Sequence, residues 1–74
     1  MTAVEIKVEQ VFKKVFETDI IDVLDKNISP EWDSLKHIEL ILELEDEFDI
    51  EFTNIASSEI FDFHSCVKTI LETV

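Results

Sequence analysis

The chain contains no glycine and a single proline, Pro30, and nothing else in its 74 residues restricts the fold as strongly. Without these breakers, helical runs continue until a cap or a change of pattern stops them. From Val4 to Glu17 the apolar residues Val4, Val8, Val11, Phe12, Val15 and Phe16 recur every three or four positions. That spacing predicts one face of an amphipathic helix, with Lys7, Lys13 and Lys14 largely off it. A second helix is expected from Asp33 or Ser34 to about Phe48. A short third is capped by Thr53 or Asn54 and reaches Ile60. A fourth is capped by Asp62 and carries Phe63, Val67, Ile70, Leu71 and Val74 at helical spacing. Between Thr18 and Trp32 the pattern loosens into a long ordered connection, ending in Ser29-Pro30, whose aliphatics Ile20, Ile21, Val23, Leu24 and Ile28 should lie on the core. The expected fold is therefore all-α, with four helices in one domain spanning residues 1–74.

Composition narrows the function. Eighteen Asp and Glu against six Lys and Arg give a formal net charge of −12, the wrong sign for gripping phosphate backbones or anionic lipid. Nucleic acid is not an expected partner. No stretch approaches the roughly 20 apolar residues of a membrane span, so insertion is not expected either. Cys66 is the only cysteine and has no internal disulfide partner, and no basic start with an apolar run marks a signal peptide; the cytoplasm is the expected location. A chain of this mass buries about 60 % of its unfolded surface, which argues against a deep catalytic pocket. The aspartates of the connection lack the spacing and the glycine of a calcium loop. His37 and His64 have no metal-ligand spacing with Cys66, so no metal is expected, and Cys66 reads as a packing residue.

The second helix carries the most information. On a wheel of about 100° per residue its apolar arc is wider than one core contact needs. Leu40, Ile41, Leu44 and Phe48 form one sector, edged by His37. Leu35, Ile38 and Leu42 form another, beside the acidic residues Glu39, Glu43 and Asp46. Two readings fit: a face built to dock a basic partner with an apolar centre, or a core that wraps more of this helix. The pairs Glu39 with Glu43 and Glu43 with Glu47 place like charges one turn apart, at roughly 0.2–0.5 kcal/mol each, and no basic residue separates Lys36 from Lys68. A helix shaped by stability alone would alternate its signs. Ser34 at the helix start either serves as a cap or presents its hydroxyl beside unpaired backbone N–H groups, where a phosphate is favoured. His37 stands three residues on as a conceivable base for Ser34, but so few residues cannot assemble an oxyanion hole or an enclosed pocket.

Trp32-Asp33-Ser34-Leu35, then Ile38-Glu39-Leu40, then Leu44-Glu45-Asp46-Glu47-Phe48-Asp49-Ile50, closely resembles the region around the modified serine of acyl carrier proteins. The resemblance extends through Phe52 and Ile60 to the last helix. It implies a right-handed four-helix bundle and a free-standing carrier, with 4'-phosphopantetheine attached to Ser34 through a phosphodiester by a magnesium-dependent phosphopantetheinyl transferase. The thiol of the arm would hold an acyl or aminoacyl group as a thioester. Asp33 matches the acidic residue that helps position the magnesium ion and the transferase. Leu35, Ile38, Glu39, Leu42, Glu43 and Asp46 fall on the partner-recognition helix. Leu40, Leu44, Phe48, Ile50, Phe52 and Ile60 match positions that build or border an apolar interior for the acyl chain.

Two features depart from the pattern. Ser29-Pro30-Glu31-Trp32 stands where many fatty-acid carriers have a glycine-containing turn, which fits a specialised lipid or secondary-metabolite pathway better than a housekeeping one. Lys36 and His37 dilute the acidity of the recognition helix. The leading expectation is a non-catalytic, monomeric carrier served by acyl-loading and acyl-using enzymes. A peptidyl or aminoacyl carrier and an acidic interaction module without a prosthetic group are the alternatives.

Overall fold

The computed structural model describes residues 2–73 and is all-helical, with no named strand among them. The helices are α1 (Ala3–Phe16), α2 (Ser34–Phe48), α3 (Asn54–Ser58) and α4 (Phe63–Thr73). They form a small bundle measuring 29 × 27 × 17 Å. Val74, expected on the fourth helix, lies outside the described residues.

Local chemistry sets the helix ends. Thr2 and Glu5 form a capping box: the Glu5 N–H donates to Thr2 Oγ1 at 3.2 Å and the Thr2 N–H to Glu5 Oε1 at 3.0 Å. Asp33 caps α2 and Thr53 caps α3. Asp62 accepts the Ser65 N–H at 2.7 Å and so caps the first turn of α4. With no glycine to take the left-handed position, α1 and α2 end on Glu17 (φ 52°) and Asp49 (φ 53°). The third helix stops at Ser58, short of the expected Ile60. There the chain turns so that Ile60 enters the core, fully buried.

The core gathers Val8, Val11, Phe12 and Val15 of α1, Leu40 and Leu44 of α2, Ile60, and Phe63, Cys66 and Ile70 of α4. Phe12 is at its centre, with ring centroids 5.7 Å from Phe16, 5.7 Å from Trp32 and 5.9 Å from Phe63. Fully burying such a side chain stabilises the fold by about 1.5–3 kcal/mol. The most extensive helix contacts join α1 to α2 and α1 to α4. Leu71, expected on the apolar face of α4, is exposed, because the buried stripe there runs through Phe63, Cys66, Thr69 and Ile70.

The connection from α1 to α2 is ordered by its own turns. Asp25 is their hub: its backbone oxygen accepts the Ile28 and Ser29 N–H groups, its carboxylate accepts the Asn27 N–H at 2.8 Å, and its own N–H donates to Ser29 Oγ at 3.0 Å. The Lys26 N–H reaches across to the Phe61 oxygen at 2.8 Å and ties the connection to the segment before α4. Ile21, Leu24 and Trp32 are buried. Ile20, Val23 and Ile28 are exposed, which corrects the expectation that all five aliphatics of this stretch face the core. A segment lying on a surface turns only one of its sides inward.

Candidate functional site

Trp32 fixes where α2 begins. It is 2 % exposed and packs against Phe12 and, at 5.0 Å between centroids, Phe16, so the chain is pinned one residue before the cap. Asp33 Oδ1 then accepts the Lys36 N–H at 2.8 Å and the Asp33 backbone oxygen accepts the His37 N–H at 2.9 Å. Ser34 follows as the first helical residue and is exposed. Among the described residues no protein acceptor stands against the N–H groups of Ser34 and Leu35. Those donors and the positive end of the helix dipole favour a phosphate ester at this position.

Beyond Ser34 the helix divides as the wheel predicts. Leu40 and Leu44 are fully buried, while Leu35, Ile38 and Leu42 are 76 %, 56 % and 59 % exposed. The core therefore does not wrap the second apolar strip, and these three side chains lie open beside the carboxylates. Glu39 and Asp46 are exposed and Glu43 half-buried. Ile60 joins the fully buried interior, and Phe48, Ile50 and Phe52 pack partly buried against it. Glu45 folds the segment after α2 back on the helix by accepting the Phe52 N–H at 2.8 Å.

The acidic strip is not as free of cations as the sequence alone suggests. Lys14, from α1, places Nζ 2.9 Å from Glu43 Oε2. Lys36 lies 3.1 Å from Glu39 Oε2 and also donates to the Val15 backbone oxygen at 3.1 Å. The hydrogen bond and charge of Glu43, with smaller contributions from Asp46 and Glu47, hold the Lys14 ammonium above its ordinary range. Both pairs are accessible to solvent and therefore weak, so an incoming cation can displace them.

His37 is committed elsewhere than to Ser34. Its Nδ1 accepts the Trp32 indole N–H at 3.1 Å, and Nε2 lies 3.0 Å from the Ser57 backbone oxygen and 3.2 Å from Ser57 Oγ. With both ring nitrogens engaged, the imidazole has no lone pair to offer the Ser34 hydroxyl. Sequence spacing could not find this arrangement, since one partner is 20 residues away in a different helix. Cys66 is fully buried in α4, and burial, helped by the charge of Asp62, pushes its thiol up to about 12. Among the described residues no group of three His, Cys, Asp or Glu side chains could hold a metal ion, and no helix is long and apolar enough to cross a membrane. No protein-family model and no curated protein matches this chain.

Proposed function

We propose that the chain is an acyl carrier protein that holds an acyl group as a thioester on a 4'-phosphopantetheine arm at Ser34 and delivers it to partner enzymes. The observation that carries the reading is the position of Ser34: exposed, first in its helix, next to open backbone N–H groups and directly before the uncovered strip of Leu35, Ile38 and Leu42. The arm, once attached, leaves the protein beside the surface on which an enzyme would dock. Asp33 holds the first turn and offers a carboxylate to the metal of the transferase. Glu39, Glu43 and Asp46 would guide a basic partner, and the three aliphatics would hold it. Phe48, Ile50 and Phe52, at the border of the Leu40, Leu44 and Ile60 interior, are where an acyl chain would find apolar shelter. The protein supplies the arm and the docking surface, and the partner enzymes supply the chemistry, in a specialised lipid or secondary-metabolite pathway of the cytoplasm.

The test is direct. Incubation with coenzyme A, magnesium and a broad-specificity phosphopantetheinyl transferase should add one arm, and peptide mapping should find it on Ser34. Ser34→Ala should abolish the gain with helicity by circular dichroism unchanged. A wild-type protein that gains no mass, or an Ala variant that still gains it, would remove the proposal; the former leaves an acidic interaction module as the function.

A further inference from the structure

We propose that His37 is a proton-operated tie that joins α2 and the end of the α1–α2 connection to α3, and that acidification opens it. The geometry specifies one protonation state. Because the Trp32 indole N–H donates to Nδ1, that nitrogen is unprotonated, and the ring proton sits on Nε2, where it donates to the Ser57 oxygen. One neutral tautomer therefore satisfies three segments together: Trp32 before the cap, His37 on α2 and Ser57 on α3.

A second proton has only Nδ1 to occupy, and it would face the indole N–H head on. Trp32 is 2 % exposed, so its N–H would lose its acceptor with water largely shut out. The rings offer no compensation. Their planes are within 26° of parallel with centroids 6.1 Å apart, and the 3.1 Å bond joins their edges, so the charged imidazole would not lie over the indole face. Nor does a nearby carboxylate welcome the charge. The α3 sequence from Asn54 to Ser58 has no ionisable side chain, its C-cap Glu59 is exposed, and the α1 residues packed on Trp32 are Phe12 and Phe16. On α2 itself Asp33 caps the Lys36 N–H and Lys36 pairs with Glu39. Lys26, on the connection, contributes a positive field. Burial first, and Lys26 last, hold the ring below the ordinary histidine value of 6.5, against the Ser57 hydrogen bond.

The sign follows from linkage. A histidine that resists protonation in the folded state contributes stability that is complete above the unfolded value, near 6.5, and is lost as pH falls towards the depressed folded value. The loss should concentrate in α3, which has five residues, none of them buried, and so little else to hold it. This tie stands on hydrogen bonds alone and does not depend on Ser34 carrying an arm.

Imidazole nitrogen shifts of the labelled full chain, together with amide exchange, test the proposal. At pH 7.5 His37 should carry its proton on Nε2, and its midpoint should lie below that of the same residue in the urea-unfolded chain. Between pH 7.5 and 5, after correction for intrinsic chemistry, exchange of the Ser57, Glu59 and Ile60 amides should speed at least tenfold relative to the α1 amides. His37→Gln should abolish that pH dependence. Should this variant lose its fold, Trp32→Phe removes the indole donor while keeping an aromatic ring in the core, at the loss of some buried volume, and should raise the His37 midpoint. An Nδ1–H tautomer, a midpoint at or above the unfolded value, or α3 exchange that ignores His37 titration would overturn it.

Discussion

Cys66→Ala tests the buried thiol through the alkaline limb of stability. In the unfolded chain the thiol ionises near 9.0, whereas burial inside α4 holds it protonated to about 12. A group whose folded value is raised contributes stability that is complete below the unfolded value and is lost as pH climbs towards the folded one. At pH 8 almost nothing is lost. At pH 10 the unfolded thiol is about ten parts ionised to one part not, and the loss is about 1.4 kcal/mol, one factor of ten. A domain of this size has of order 4–11 kcal/mol in total, so the change is measurable. The chain has no tyrosine to ionise in the same range. Lys13 and Lys14 are held above their ordinary range by Glu9 and Glu43, but they are shared by both proteins and cancel in the comparison. Urea unfolding under reducing conditions should show the Ala variant less stable than wild type at pH 8, on the order of 1 kcal/mol. The gap should shrink by about 1.4 kcal/mol at pH 10, enough to close it or slightly reverse its sign. Parallel losses in the two proteins would refute the reasoning, since the thiolate would then be as comfortable folded as unfolded. The same burial should make Cys66 silent to thiol reagents in the native state, so a reactive thiol gained by the folded protein in the transferase test would belong to the proposed arm.

Other outcomes follow from the geometry of α2. Glu39→Lys with Glu43→Lys should slow modification of Ser34 and flatten its salt dependence, whereas Leu35→Ala should weaken productive binding with a normal salt dependence; unchanged rates for the double variant at low salt would reduce the acidic strip to a solvated face. Asp49→Gly should raise stability by about 0.5–1 kcal/mol in urea titration, because a left-handed C-cap costs a residue with a Cβ about 1–2 kcal/mol and glycine returns part of that as chain entropy; an unchanged midpoint would show that Asp49 is already relieved by its local bonds.

The sequence revealed what is periodic or local. Spacing in α1 picked out Val8, Val11, Phe12 and Val15. The wheel separated Leu40 and Leu44 from Leu35, Ile38 and Leu42 without deciding that the second strip is open, and the caps were legible to within a residue, at Asp33 or Ser34, at Thr53 or Asn54 and at Asp62, because a cap bonds within three residues. What stayed hidden is non-local or aperiodic. Lys14 meets Glu43 across 29 residues and His37 meets Ser57 across 20, distances over which spacing carries no information. In the connection, Ile20, Val23 and Ile28 look the same as Ile21 and Leu24 on the page. Turns centred on Asp25, not a fixed period, decide which go inward. Leu71 has helical spacing, but Thr69, with its neighbour Ile70, takes the inward side of that turn, so periodicity alone assigns too wide a face.

The position of α1 between its two large partners bears on the order in which the molecule can assemble. During synthesis α1 emerges before α2, and its apolar face has no helix to meet until α2 follows the connection. The α1–α2 pair can then close around Phe12 and Trp32, with one flank of α1 still open until α4 arrives. A fragment ending before Phe63 should thus be a loose, partly ordered pair, and one lacking α1 should have no nucleus at all.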